Sequence, residues 1–196
     1  MRLSFFDIRS SLPQNWRELV TPSRQRRAEK YLRNEDRLRC LGAGILLAQE
    51  LNVSSDDEII LGSWGKPCLR DNRAQFNLSH SGNMVVLAVS DAPIGVDVEQ
   101  IRHSPLDQDA AMQCFTPKEA EWLQSQRGDV AFFRLWTGKE AIMKATGKGL
   151  SLNPASFCIL PLENGVHVCN GQAWNMTWMS VDEHMICIAE AARQME

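Results

Sequence analysis

Glu140 and Lys144 stand four residues apart in the stretch Trp136-Thr137-Gly138-Lys139-Glu140-Ala141-Ile142-Met143-Lys144-Ala145-Thr146-Gly147. Read as a helix, that spacing puts a carboxylate and an ammonium one turn apart on one face. Phe133 and Trp136 fall on the same face, while Ala131, Leu135 and Ile142 gather on roughly the opposite side. A helix apolar on both sides is a buried helix, and a buried charge is costly unless paired or bound to a metal. The pattern therefore predicts a carboxylate and an ammonium held in an interior or a cleft, where charge does chemistry.

Gly95-Val96-Asp97-Val98-Glu99 alternates along a predicted strand, so Asp97 and Glu99 project from one face and the valines from the other. Two carboxylates this close repel unless a cation or a proton lies between them. Oxygen ligands of this kind suit Mg²⁺, which takes few carboxylates and fills its shell with water and phosphate oxygens. A half-exposed strand with a polar face explains the same residues equally well. Phe76-Asn77-Leu78-Ser79-His80-Ser81-Gly82 sets donors at a strand end that could form a phosphate nest, or simply a structural turn. A hydrolase reading of Ser79 and His80 fails, because there is no G-x-S-x-G elbow and adjacent residues of an extended chain face opposite ways. Gly65-Lys66-Pro67 and Lys148 add cations without making a Walker A loop, since Ile60, Phe133 and Ile142 stand where its first glycine is required.

The elements that must position these groups follow from periodicity and punctuation. Short strands are expected at 3–8, 59–61, 75–78, 84–89 and 94–99, and again at 157–160, 173–179 and 185–189. Thr21-Pro22-Ser23 is a helix start, with helical periodicity running to about Leu51 and a break near Asn34. Pro117 opens a helix through Trp122, and the long helix at 129–146 stops at Gly147. The order reads as an α+β protein of two similar halves, each a small antiparallel sheet packed with a long helix. The halves are expected at 1–93 and 94–196, with the active site at their interface. No sequence repeat accompanies the duplication.

With 44% hydrophobic and 23% charged residues, the 196-residue chain can bury a core without disulfide or metal staples. Its net charge is −3, yet seven of its 21 basic residues lie between Arg24 and Arg39. A local basic patch on an acidic protein suits a specific anionic partner rather than bulk nucleic acid, and Tyr31 is the only aromatic residue interleaved with it. The six cysteines include no C-x-x-C and the four histidines are dispersed, so no zinc pattern can be built. Free thiols in a reducing compartment, no apolar leader and no membrane-length apolar run together predict a cytoplasmic protein.

Taken together, Gly65-Lys66-Pro67, Phe76-Asn77-Leu78-Ser79-His80-Ser81, Gly95-Val96-Asp97-Val98-Glu99, and Trp136 with Lys139-Glu140-Ala141 and Lys144 occur in the order and spacing of the 4′-phosphopantetheinyl transferases. The chain resembles the surfactin-synthetase-activating type over residues 21–157, which implies one chain folded as two pseudo-symmetric halves. The resemblance implies a holo-[acyl-carrier-protein] synthase. Such an enzyme moves phosphopantetheine from coenzyme A to a serine hydroxyl of an acyl, peptidyl or polyketide carrier protein, and adenosine 3′,5′-bisphosphate leaves. It implies that Asp97, Glu99 and Glu140 hold Mg²⁺ against the pyrophosphate and that Lys144 contacts the reacting phosphate. Ser79, His80 and Lys66 are implied in coenzyme A binding, with His80 at the 3′-phosphate. Arg24 and Arg27 match basic positions near that phosphate, and Arg39 and Cys40 match positions beside the adenine, Cys40 through its backbone. Glu119, in Phe115-Thr116-Pro117-Lys118-Glu119, matches a further family glutamate and joins Glu140 and Lys144 as a catalytic candidate. Glu140, directly or by way of a metal-bound water, would take the serine proton. Ala141 departs from the family's serine, and arginines replace lysines at 24 and 27, which favours bidentate phosphate contacts. A monomer without nucleic-acid or membrane partners is expected. The rival, a non-catalytic adaptor, would require loss of the metal set, and all three carboxylates are present.

Overall fold

Met84–Ser90 is apolar at every position but the last, and a strand of that composition is stable only with both faces covered. In the computed structural model, which describes residues 1–102, 112–126 and 128–192, it is buried along its whole length. The first part of the chain runs β1 (Arg2–Asp7), α1 (Trp16–Leu19), α2 (Pro22–Glu29), α3 (Asn34–Leu51), β2 (Ile59–Leu61), β3 (Pro67–Leu69), β4 (Gln75–Ser81) and β5 (Met84–Ser90). The second runs β6 (Ile94–Gln100), α4 (Pro117–Ser125), α5 (Asp129–Thr146), β7 (Gly165–Cys169), β8 (Gln172–Val181) and β9 (His184–Ala191).

Two antiparallel sheets result, in the orders β1-β5-β4 and β6-β9-β8-β7, beside a small β2-β3 hairpin. Both sheets trace one path. An opening strand leads to a long helix, then to a hairpin whose second strand pairs back with the opening strand: β1 with β5, β6 with β9. The duplication expected from element order is thus visible in connectivity. Val85, Leu87 and Val89 of β5 pack with Leu46, Leu47 and Phe76 in the core under α3. The other face of β5 supplies Met84, Val86 and Ala88 to a second core with Val96 and Val98 of β6 and Ile186 and Ile188 of β9. A third core sets α5, through Phe132, Leu135, Ile142 and Met143, against Trp174, Met176 and Trp178. Among the described residues, no helix is long and apolar enough to cross a membrane.

Most expected elements are present, and α5 is buried on nearly every side before ending at Gly147, φ 73°. The segment 157–160 is a correction: it belongs to no strand. Its apolar alternation is physical, because Phe157 and Ile159 are buried and their neighbours less so. Its backbone, however, bonds to side chains: Phe157 O accepts from Lys139 Nζ at 2.5 Å, and Ile159 N donates to Glu119 Oε1 at 2.9 Å. The strand of this region is β7, whose Val166 and Val168 face outward and are 64% and 70% exposed. It was not expected from the sequence, nor were β3 and the single turn α1. Residues 193–196 of the expected second half lie outside the described residues.

Helix α5 lies directly against β6 at Gly95. A Cβ at Gly95 would sit 2.1 Å from Ala141 O and 2.3 Å from Ala145 N, so only glycine lets the helix lie on the strand. Those atoms are backbone and cannot swing aside. Gly95→Ala is therefore expected to cost at least the upper end of overpacking penalties, about 3 kcal/mol, or to prevent folding, as read by urea denaturation. A loss below about 1 kcal/mol would show that α5 can be lifted cheaply.

Candidate active site

Small polar residues occupy alternate positions of β4, so Asn77, Ser79 and Ser81 share one face. That face meets the open edge of β6, whose other edge pairs with β9. Asn77 Oδ1 accepts from Val96 N at 2.9 Å, Ser79 Oγ from Val98 N at 3.4 Å, and Ser81 Oγ from Gln100 N at 3.1 Å. Side chains thus satisfy the edge donors that another strand would otherwise take.

Gly95, Asp97 and Glu99 lie on the face of β6 turned to α5, and glycine brings the helix down so that the two carboxylates meet it. Ser79 Oγ donates to Asp97 Oδ1 at 3.0 Å, and Ser81 Oγ donates to Glu99 Oε2 at 2.7 Å. From α5, Lys144 Nζ donates to Asp97 Oδ1 at 2.6 Å and to Ser79 Oγ at 2.9 Å. Lys144 was expected to share a helix face with Glu140, and its ion-pair partner is instead Asp97 on the facing strand. The pair thus ties the helix to the strand that carries the other carboxylates.

Negative charge remains in surplus here. Asp97 is 3% exposed, and its Oδ2 is buried with no hydrogen-bond partner. Burial pushes the carboxyl of Glu99 above the usual carboxylate range, and the charge of Asp97 pushes it further, against the opposing effects of Ser81, Lys144 and Trp136. Glu140 is raised for the same two reasons, burial first and Asp97 next, with Glu99 adding to the repulsion. An orphaned oxygen beside two carboxylates that resist ionisation has the donor chemistry of a hard divalent cation site. The side chains do not close into a ligand set: among the described residues, no three His, Cys, Asp or Glu are grouped to hold a metal ion.

Next to this cluster an open groove of about 710 Å³ is lined by Arg33, Arg39, His80, Gly82, Gln100 and Arg102. Ser79 points inward, whereas His80, one residue on, faces the groove. Desolvation lowers the pKa of His80, and Arg39 lowers it further. Arg39 is held by Asp36 Oδ1 and by Gly82 O, both at 2.5 Å. Arg24 and Arg27 are not brought to His80. They line a separate cavity of about 180 Å³ with Ser23, Gly44 and Asp56. Arg24 Nη1 donates to Cys40 O at 3.5 Å, and burial lowers its pKa. Lys66 is also elsewhere, its Nζ donating to Ile94 O at 2.7 Å and Ala145 O at 3.2 Å. Burial there brings its pKa down to about 8.

Glu119 is fully buried. Its side chain and that of Lys139 are both 0% exposed, paired at 2.6 Å. Glu119 also accepts from Thr116 N and from Ile159 N, while Lys139 donates to Pro154 O and Phe157 O. The pair locks α4, α5 and the 154–159 segment together. Sequence reasoning offered Ser81 as a phosphate-nest donor or part of a turn rather than as the partner of Glu99, and missed Asn77, although polar residues alternating with Phe76 and Leu78 were the signal.

Residues 93–187 match the family described as the 4′-phosphopantetheinyl transferase superfamily. The chain is 46% identical over 105 residues to the 4′-phosphopantetheinyl transferase psf-1 of Bacillus pumilus, covering 52% of this chain and 44% of that protein. It is 38% identical over 148 residues to the 4′-phosphopantetheinyl transferase gsp of Aneurinibacillus migulanus, covering 71% and 61%. It is 30% identical over 161 residues to the 4′-phosphopantetheinyl transferase Sfp of Bacillus subtilis strain 168, covering 78% and 71%. The chain thus spans less than two thirds of the length of the first two of these relatives.

Two substitutions separate stored repulsion from structural pairing. A carboxyl whose folded pKa is raised favours folding below its ordinary value of 4.5 and loses that contribution as pH rises through the folded value. Glu140→Gln is therefore expected to melt above the wild type at pH 7 in metal-free buffer, with the gap closing toward pH 4.5. A gap independent of pH would mean that the carboxylates do not repel. Glu119→Ala should instead cost about 3–5 kcal/mol in urea denaturation, as a buried ammonium loses its counter-ion, and adding Lys139→Met should recover part of it.

Proposed function

The chain belongs to the 4′-phosphopantetheinyl transferase superfamily, and from that membership we propose that it transfers phosphopantetheine from coenzyme A to a serine hydroxyl of a carrier protein. The observation that carries this reading is the Asp97–Lys144–Ser79 contact, which sets an ammonium and an orphaned carboxylate oxygen side by side at the junction of the two halves. Residues 1–93 and 94–196 are taken as the two halves.

Phosphoryl transfer asks a protein for alignment and charge neutralisation more than for covalent help. The donor set of Asp97, Glu99 and Glu140 would hold Mg²⁺, which when bound supplies Lewis-acid neutralisation of a pyrophosphate. The remaining roles fall to side chains of this chain. The Lys144 side chain is 27% exposed, so its ammonium can be reached by an anion from the cleft. A pyrophosphate oxygen gaining charge as its bond to phosphorus breaks is stabilised by that ammonium. Glu140, half-buried and raised in pKa, is poised to accept the proton of the attacking serine. The serine oxygen then forms its bond to phosphorus as the bond to adenosine 3′,5′-bisphosphate breaks. Arg33 and Arg39 supply positive charge, and His80 an imidazole hydrogen-bonding group, for an anionic nucleotide in the adjoining groove. The reading keeps the chain a cytoplasmic monomer, with coenzyme A and a carrier protein as its partners.

Mass spectrometry of an apo-carrier protein, incubated with coenzyme A, Mg²⁺ and this protein, tests the reading. A mass gain of one phosphopantetheine group is expected, and an unmodified carrier across acyl, peptidyl and polyketide types would reject it. Lys144→Ala should lower kcat about 10²-fold or more, with a much smaller change in coenzyme A affinity, because the contact strengthens as charge develops. A normal kcat would remove Lys144 from the reaction.

A further inference from the structure

We infer that His184 is a positioning residue of the basic groove, holding from the second half the turn on which Arg39 and His80 depend. The inference rests on the reading given above, in which that groove receives the nucleotide of coenzyme A. His184 opens β9 and is buried, with 1% of its surface exposed. Its ring crosses the seam to the β4–β5 hairpin, whose turn residues are Gly82 and Asn83, and Nε2 lies 3.2 Å from Ser81 O. A carbonyl oxygen only accepts, so this contact assigns the proton to Nε2 and makes His184 the donor.

Consecutive carbonyls of this one turn are held from opposite sides. Ser81 O takes His184 of the second half, and Gly82 O takes Arg39 Nη1 of α3 at 2.5 Å. Gln100 stands opposite His184 in the β6–β9 ladder and closes in beside it. A Cβ at Gly82 would lie 2.5 Å from Gln100 Oε1 and 3.0 Å from His184 Nε2. The turn is thus seated against two side chains of the second half. Asn83 O fastens it to the first half by accepting from Ile8 N at 2.9 Å.

His80, Ser81, Gly82 and Asn83 of this hairpin line the groove, facing Arg39 of α3 and Gln100 of β6. One wall of the groove is therefore a first-half element whose place is set by the second half. Without the His184 donor, the Ser81–Gly82 peptide is free to turn away from β9. Gly82 O moves with it, and Arg39 loses an acceptor that aims its guanidinium. His80, two residues before Gly82, shares the displacement. Asp97 and Lys144 are bonded to each other and to Ser79, farther along β4 from the turn, so the reacting end of the site is disturbed less than the nucleotide end.

The test compares His184→Phe, which keeps a ring and loses the donor, with His184→Gln, which returns an N–H near the Nε2 position. Backbone order parameters from ¹⁵N relaxation should fall at Gly82 and Asn83 in the Phe variant, from about 0.85 to below about 0.6. KM and the calorimetric Kd for coenzyme A should both rise about 10-fold, the lower end for losing one charge-assisted contact, while kcat changes by less than about 3-fold. His184→Gln should restore all of these. Gly82→Ala, which forces the turn away with His184 in place, should raise KM by a similar factor and serves if His184→Phe does not fold. Unchanged order parameters, kcat falling with KM intact, or a Gln variant as impaired as Phe would each overturn the inference. If the wild type binds coenzyme A but modifies no carrier protein, the transfer reading fails, while Kd and the order parameters still decide the role of His184. A wild type that binds no coenzyme A would overturn both.

Discussion

Everything at the site depends on how the unpaired edge of β6 is satisfied. An edge strand offers a row of backbone donors that invites another strand, and β4, itself an edge, lies alongside. Had the two paired by backbone, the sheets would have merged into one. Bridging by Asn77, Ser79 and Ser81 instead spaces the strands by the length of a side chain. The seam therefore joins the halves through hydroxyl and amide groups, and the same hydroxyls reach the carboxylates beside it.

Two neighbouring residues of α5 show how differently one helix can use charge. Lys139 is enclosed with Glu119, both at 0% exposure, and every proton it offers has an acceptor in reach. Glu140, one residue later, faces like charge and resists ionisation. The first arrangement ties α4 and α5 to the 154–159 segment. The second stores repulsion that a positively charged ligand relieves, and its cost is borne by packing elsewhere on the helix. Such a division separates a satisfied ion pair from a carboxylate left facing like charge, although both appear as paired charges in the sequence.

Much of this was legible before any coordinates. The alternation in Gly95-Val96-Asp97-Val98-Glu99 placed both carboxylates on one face, and the two-sided apolar pattern of 129–146 announced a buried helix. Periodicity reports which way a side chain points, not what it meets across a gap. It could therefore place Glu140 and Lys144 on one helix face without foreseeing that Lys144 would bond to Asp97. The same limit applies to Glu119, whose pairing with buried Lys139 no spacing announced. At 157–160 the expected strand is absent, because buried side chains take the backbone bonds that a partner strand would have made. Basic residues in one stretch, Arg24, Arg27 and Arg39, likewise divide between two cavities once α2 and α3 pack.

The pairing of β6 with β9 has a consequence for how the protein is made. Asp97 lies opposite Cys187 in that ladder, so β6 leaves the ribosome and waits about 90 residues for its partner, a long loop to close. During that interval Val96 and Val98, which end fully buried, lack Ile186 and Ile188 of β9 beside them. The opening half closes earlier, since β1 meets β5 before β6 is made, and β5 then offers Val86 and Ala88 as an apolar shelf. The first half can thus act as a template on which the nascent second half is sheltered, and the strand that carries Asp97 and Glu99 is paired only with the last strand.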